Sequence, residues 1–228
     1  MWIPSSRCAE RWGIVNGVYP TMRLVTLPGV FRPRSDSWML AEVVERTARP
    51  GETVLDPFTG SGILAIAAAR KGADATAVDL SRRAVLCAGI NARLNGVRLR
   101  VLLGDALESV AGRRFDLVVA NPPYVPSSSA PARGRARAWA AGLDGRRFID
   151  RLCAAAPKHL NPGGRLLLIH SSVCGERRTF ERLAEVGLEA RVIRRRAGRI
   201  GPLMSAALID RGAGDVTEQL LVFEATAS

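Results

Sequence analysis

Four consecutive residues, Asn121-Pro122-Pro123-Tyr124, carry the most specific chemical signal in this chain. Two prolines in a row hold the backbone extended and remove its N–H donors. The Pro122 carbonyl then stands as a fixed acceptor, and the Asn121 side-chain oxygen is a second. Two acceptors set at that angle match the two hydrogens of a planar NH₂ group. Tyr124 offers a flat face for stacking on an amide or a base. An amide or aryl-amine nitrogen is a poor nucleophile, because its lone pair is delocalised. Two hydrogen bonds to its protons return density to the nitrogen and aim it at an electrophile. This chemistry needs no nucleophilic Cys or Ser and no His base, and the sequence suggests none.

A second group of residues describes where the electrophile would come from. Asp56-Pro57-Phe58-Thr59-Gly60-Ser61-Gly62 reads as a turn between a strand and a helix. Gly60 and Gly62 let the backbone turn tightly and approach a ligand closely. The helix that follows offers free N–H groups at its start. Asp79, with Leu80 beside it, closes the next strand, where a carboxylate can accept both ribose hydroxyls of a nucleoside. Gly60-x-Gly62-x-x-Ala65 also fits the dinucleotide fingerprint, which alone is a weak signal. The acidic residues decide between the two ligands. A carboxylate at Asp56 can receive a methionine ammonium and would repel a pyrophosphate. Asp105 can accept from an adenine amino group while the Ala106 N–H donates to the ring. This pattern suits S-adenosylmethionine better than a dinucleotide.

The elements that must position these residues follow from periodicity and punctuation. A short helix is expected over Trp38–Ala48, then strands at Thr53–Leu55, Ala75–Val78, Leu99–Leu103 and Phe115–Ala120. An Ala-rich helix fits Gly62–Lys71. Another runs from the N-cap Ser81 to about Asn95, with Gly96 as its stop. After a long Ser/Pro/Ala/Arg loop to Asp144, a helix spans Arg146–Leu160, and Asn161-Pro162-Gly163-Gly164 makes a turn. Further elements are a strand at Leu166–Ile169, a helix at Glu176–Val186, and strands at Glu189–Ile193 and Gln219–Glu224. Strands alternating with helices predict an α/β fold: a doubly wound, mostly parallel seven-stranded sheet with helices on both faces. Such a sheet takes ligands beyond the carboxyl ends of its strands, where the motifs above fall.

Composition narrows the class further. The chain has 228 residues, 47% hydrophobic and 24% charged, which fits a globular protein and excludes general disorder. No apolar run approaches the roughly 20 residues that span a bilayer. The first residues lack the apolar stretch of a secretory signal. Cys8, Cys87, Cys153 and Cys174 form no CxxC pair, so reduced thiols in a cytoplasmic protein are expected. With only His159 and His170 and no Cys/His cluster, no metal site is expected. The formal charge is +12, from 33 basic and 21 acidic residues, and only Lys71 and Lys158 are lysines. A nucleic-acid partner and a coding bias toward Arg explain that excess equally well. Trp139 can be a substrate anchor or a core residue, and His170 is expected to be a satisfied structural histidine.

Thr59-Gly60-Ser61-Gly62, then Asp79, then Asn121-Pro122-Pro123-Tyr124 resembles a class I S-adenosylmethionine-dependent methyltransferase with the NPPY motif. The motif order excludes the circularly permuted DNA amino-methyltransferases. Residues Ala138 to Arg151 resemble the AWxGGxxGRxxxDR stretch of HemK/PrmC-type protein-glutamine methyltransferases. Val30 to Ser37 resembles their cofactor-covering segment. The likeness runs from about Gly29 to Ile193 and fits the short branch without the N-terminal helical domain. It implies residues 1–50 as an N-terminal extension and 51–228 as the methyltransferase domain. It implies that Asp56, Thr59, Gly60, Gly62, Asp79, Leu80, Asp105, Ala106 and Asn121 line the cofactor site. Asn121, Pro122, Pro123 and Tyr124 would hold the acceptor. The implied substrate is the glutamine amide of a protein such as a translation release factor, with a small activator subunit in some members. The chain departs from the family at Asp56-Pro57-Phe58, where acidic-x-Gly is usual, and at Ala141, where Gly is usual. Arg135 and Arg137 stand where the family carries an acidic residue. The alternatives that these departures keep open are an exocyclic base amine of RNA or DNA and a small molecule.

Overall fold

Strands whose residues are apolar without alternation must be covered on both sides, and this chain has several. In the computed structural model, which describes residues 22–127, 136, 138–198, 201–209 and 217–227, they form the centre of the sheet. Strand β1 (Thr53–Asp56) buries Val54, Leu55 and Asp56 completely. Strand β2 (Asp74–Asp79) runs parallel to it, pairing Thr53 with Asp74 and Asp56 with Ala77. Strand β3 (Arg100–Leu103) is parallel to β2 and ends opposite Asp79. Strand β4 (Phe115–Ala120) is parallel to β5 (Leu160–Ser171). Strand β7 (Glu218–Ala227) is antiparallel to both β5 and β6 (Leu188–Gly198). Hydrogen bonding orders the seven strands β3-β2-β1-β4-β5-β7-β6. The mostly parallel sheet expected from the alternation is therefore present.

The chain divides into two compact units, Met1–Val110 and Ala111–Ser228. In the first, helix α1 (Ser35–Thr47) precedes β1, and α2 (Ile63–Arg70) joins β1 to β2. Helix α2 is apolar all round and buried from Ile63 to Ala68, as a helix enclosed by other elements must be. Helix α3 (Arg82–Leu94) starts where expected, with Ser81 Oγ accepting from the Ala84 N–H at 3.4 Å. In the second unit, α4 (Arg147–His159) buries Ile149, Leu152, Cys153 and Ala156 along one stripe. Arg114 Nη1 donates to the carbonyls of Pro157 and Leu160 at 3.0 and 2.6 Å, satisfying acceptors that the end of α4 leaves open. Helix α5 (Glu176–Ala184) follows β5, and α6 (Pro202–Ile209) lies between β6 and β7.

Three features differ from the sequence-based expectation. The Asn161–Gly164 turn is absorbed into β5, where the pairing jumps from Phe115–Leu160 to Leu117–Arg165. Local turn signals are strong there, but the partner strand lies about 45 residues upstream, and Asn161 Nδ2 donates to Asp116 Oδ1 at 2.7 Å. Strands β6 and β7 are both longer than expected, because each supplies the other's ladder and β6 absorbs a bulge between Val192 and Arg194. Helix α6 was not expected; it buries Met204 and Leu208. Arg195 and Arg191 lie exposed on β6 and pair with Glu176 and Glu224.

Phe223 is fully buried on β7, stacked on His170 at 4.7 Å and edge-on to Phe180 at 5.4 Å. Phe223→Ala should cost about 3–5 kcal/mol. Urea denaturation would register it as a lowered midpoint with an unchanged slope.

Candidate active site

The turn after β1 is built by two carboxylates. Asp56 Oδ2 accepts from Thr59 Oγ1 at 2.8 Å, and Oδ1 accepts from the Phe58 N–H at 3.4 Å. Asp79 Oδ2 accepts from the Gly60 N–H at 2.9 Å, and Oδ1 accepts from the Ser81 N–H at 2.9 Å. The Thr59 N–H donates to the Val78 carbonyl at 3.0 Å, so the turn is also sewn to β2 through its backbone. Asp56 is fully buried beneath the turn, and burial pushes its carboxyl up to about 7 against the lowering effect of its Thr59 and Phe58 hydrogen bonds. Asp79 adds a small like-charge contribution in the same direction. A proton on Asp56 therefore lets the two carboxylates share one turn.

The two glycines of this turn have different reasons to be glycine. Gly60 has φ +52°, and a Cβ there would meet nothing within 4 Å. Its Cα face is open to a ligand. Gly62 has φ +87°, and a Cβ there would sit 3.0 Å from Ala88 Cβ and 3.1 Å from Ala88 Cα. It is the close-approach point between α2 and α3. Leu80 is 52% exposed directly after Asp79. Gly104, Asp105 and Ala106 follow β3; the Gly104 N–H donates to the Asp79 carbonyl at 3.0 Å, and Ala106 is held at φ +27° while nearly buried. Non-glycine residues enter that region at a cost, so the conformation is imposed by its surroundings. Asp105 anchors its own turn, its carbonyl accepting from Ser109 N–H and Oγ at 3.1 and 3.2 Å.

One residue of this half escapes sequence reasoning. Asn91, fully buried on α3, donates from Nδ2 to the Ser61 carbonyl at 2.8 Å and to the Val25 carbonyl at 2.9 Å. Its Oδ1 accepts from the Val25 N–H at 2.8 Å. Four residues on, Asn95 treats Arg23 the same way, at 2.9 and 2.7 Å. Two amides one helical turn apart thus grip the segment that leads into the domain, and Asn91 ties that segment to the glycine turn. The only sequence signal was a pair of asparagines at i, i+4, one of them on an otherwise apolar helix face.

Asn121–Tyr124 follows directly on Ala120, the last residue of β4. Pro122 is buried, while Asn121, Pro123 and Tyr124 are half-buried. Beyond Tyr124 the chain is held by a short parallel bridge between Val125 and Ala140. The Val125 N–H donates to the Trp139 carbonyl at 2.9 Å, and the Ala141 N–H donates to the Val125 carbonyl at 3.0 Å. Trp139 is half-buried. Arg133, Arg135 and Arg137 lie outside the described residues.

Cys8 lies outside the described residues; the other cysteines and His170 are held in the fold. Burial pushes the Cys153 and Cys174 thiols up to about 12 and also raises Cys87, so none is poised to ionise. His170 is fully buried with Nε2 2.9 Å from Thr179 Oγ1 and Nδ1 2.8 Å from the Ser171 carbonyl; burial lowers it to about 4, so it stays neutral. Among the described residues no group of three or more His, Cys, Asp or Glu could hold a metal, and no helix is long and apolar enough to cross a membrane.

Comparison with known proteins adds a family and relatives. The methyltransferase small domain model matches residues 21–197. A candidate protein N5-glutamine methyltransferase of Methanocaldococcus jannaschii is 33% identical over 174 residues, covering 75% of this chain and 87% of that protein. A release factor glutamine methyltransferase of Geobacter sulfurreducens is 36% identical over 154 residues, or 63% of this chain. This chain spans 54% of that longer relative. Among solved structures, the E. cuniculi Mtq2–Trm112 complex, responsible for methylation of the eRF1 translation termination factor, aligns with a TM-score of 0.62 at 24% identity. That alignment covers 88% of this chain and 99% of the solved one.

Two outcomes follow from the geometry of the glycine turn. Asp56 holds a proton in the folded state that the unfolded chain, with a carboxyl near 3.9, has released. Its contribution to stability is therefore present at about pH 4, declines as pH rises toward 7, and is lost above it. Asp56→Asn should gain on the wild type across that interval, by about 4 kcal/mol in total at 1.36 kcal/mol per pKa unit. Denaturation curves between pH 4.5 and 8 would check this. Gly62→Ala should cost about 2–4 kcal/mol through strain and overpacking together. Gly60→Ala, with open space around it, should cost only about 1–2 kcal/mol by the same measurement.

Proposed function

This chain belongs to the methyltransferase small domain family, and we propose that it transfers the methyl group of S-adenosylmethionine to the side-chain amide nitrogen of a protein glutamine. When bound, that cofactor supplies an electrophilic methyl on a sulfonium. The residues of the glycine turn fit it. Gly60 leaves open space where a side chain would otherwise block a ligand. The Gly60 and Ser81 N–H groups orient the Asp79 carboxylate at the end of β2, where it would accept ribose hydroxyls. Leu80 offers an exposed apolar face for a base, with Asp105 and the Ala106 N–H to read its edge. Asp56 and Thr59 act from beneath, by keeping the turn in shape. We assign residues 1–50 as an N-terminal extension, with the segment from Val30 to Ser37 covering the cofactor, and 51–228 as the catalytic domain.

The observation that carries the acceptor reading is Asn121-Pro122-Pro123-Tyr124 placed at the end of a buried central strand. Asn121 Oδ1 and the Pro122 carbonyl accept the two amide hydrogens and hold the NH₂ plane fixed. Pro123 keeps the backbone extended, so both acceptors are set before the acceptor arrives. Tyr124 stacks on the amide. Alignment and hydrogen bonding raise the nitrogen's reactivity toward the methyl, and the proton that the methylated nitrogen sheds goes to solvent. The buried, neutral His170 and the raised Cys153 and Cys174 thiols are not poised to act as nucleophiles.

A release factor is the proposed protein substrate, in line with the name of the Geobacter sulfurreducens relative, and a small activator subunit and a cytoplasmic setting complete the proposal. A base amine presents the same planar NH₂, and the +12 charge and Asp56-Pro57-Phe58 would suit a nucleic-acid substrate. One assay separates these readings. Methyl-labelled S-adenosylmethionine is added with the protein to a fractionated lysate and to purified release factors, and mass spectrometry locates the label. One methyl on the release-factor glutamine is expected. Label confined to nucleic acid or to small molecules would overturn the glutamine reading. Asn121→Ala should lower transfer by about 10²–10³, the usual cost of one oriented hydrogen-bonding group, with an unchanged circular dichroism spectrum.

A further inference from the structure

The residue that follows the acceptor loop's support is a buried charge with no role in the chemistry above. Arg146 precedes α4 and is 1% exposed. Its Nε and Nη2 donate to Asp150 Oδ1 at 3.0 and 2.6 Å. Its Nη1 donates to the carbonyls of Cys174 and Gly175 at 2.7 and 3.1 Å and to Thr179 Oγ1 at 3.0 Å. Thr179 accepts from that guanidinium, so its own hydroxyl is directed to His170 Nε2, and His170 Nδ1 donates to the Ser171 carbonyl. The guanidinium thereby joins the start of α4, the turn 172–175 and the end of β5.

Both residues flanking this clamp touch the last residue of the acceptor motif. Gly145, adjacent to Arg146, has φ +74°, and a Cβ there would lie 2.4 Å from the Tyr124 carbonyl oxygen. Cys174, whose carbonyl Arg146 holds, donates its thiol to that same Tyr124 oxygen at 3.3 Å. The Tyr124 carbonyl is thus gripped from two sides by segments that one side chain fixes together. Burying a guanidinium costs several kcal/mol before its partners repay it, so packing alone does not call for one here. Only Arg can serve this geometry: its planar fork reaches a carboxylate on one side and three oxygens on the other, which a single ammonium cannot span.

We propose that Arg146 is a positioning residue for methyl transfer, fixing Asn121–Tyr124 through Gly145 and Cys174. The proposal rests on the acceptor reading above, and its test includes a readout that does not. Arg146→Lys keeps the charge and loses the fork. It should lower kcat by about 10- to 100-fold, the cost of a misplacement near 1 Å, while the affinity for S-adenosylmethionine by calorimetry stays within about twofold. Leu160→Ala, at the start of β5, provides a variant destabilised by cavity formation that should keep kcat. Amide exchange of Val125 and Ala141, whose N–H groups form the bridge after Tyr124, should quicken in Arg146→Lys and not in Leu160→Ala. That exchange needs no acceptor, so it tests the clamp even where release factors take no label. Unchanged kcat, unchanged exchange at Val125, or an equal loss of kcat in Leu160→Ala would each overturn the assignment.

Discussion

The Gly60 N–H donating to the Asp79 carboxylate joins two turns that are nineteen residues apart in sequence. Much of the cofactor half follows from that bond. It sets the glycine turn against the end of β2, and it leaves Asp79 oriented, with its second oxygen on Ser81 at the start of α3. Asp56, one strand over, is fully buried. Burial, with a smaller like-charge effect from Asp79, keeps a proton on Asp56 until about neutral pH. The turn is then braced by two carboxyl groups, the buried one protonated below about neutral pH. Asp56 thereby braces the turn from within, through Thr59 and the Phe58 N–H.

The acceptor half reaches rigidity by another route. Prolines remove donors from Asn121–Tyr124, so the segment cannot be fixed by a ladder of its own. Its support comes from outside: the Val125–Ala140 bridge, the close approach of Gly145, and the Cys174 thiol. The stretch from Ala138 to Arg151, which resembles the HemK/PrmC-type AWxGGxxGRxxxDR stretch, therefore has a physical task. It forms the wall against which the motif is held. Functional groups on loops gain precision from the elements beneath them, and here the element beneath is itself a loop pinned by a buried guanidinium.

Part of the large positive charge is answered at short range where the structure describes it. Arg46, Arg70, Arg178, Arg182, Arg191 and Arg195 each pair with an acidic side chain. Such exposed pairs add little stability, about 0–1 kcal/mol each, but they lower the local field that an anionic partner would meet. Arg146 is the exception in kind, since its charge is spent inside the fold.

The strand–helix alternation, the parallel character of the sheet and the positions of the two motifs at strand ends were legible in the residues alone. Periodicity and turn residues are local, and they survive without knowledge of the fold. The cap at Ser81, the stop at Gly96 and the strand Phe115–Ala120 were legible for that reason. What the residues alone could not give were relations across long stretches of chain. The bulge at Asn161–Gly164, the lengths of β6 and β7 and the grip of Asn91 on Val25 all depend on partners tens of residues away. The state of Asp56 was hidden as well, because a carboxyl's proton is decided by burial and by its neighbours in space. Burial and long-range partners add what local residues cannot: that Asp56 and Asn91 are enclosed and brace the glycine turn from within.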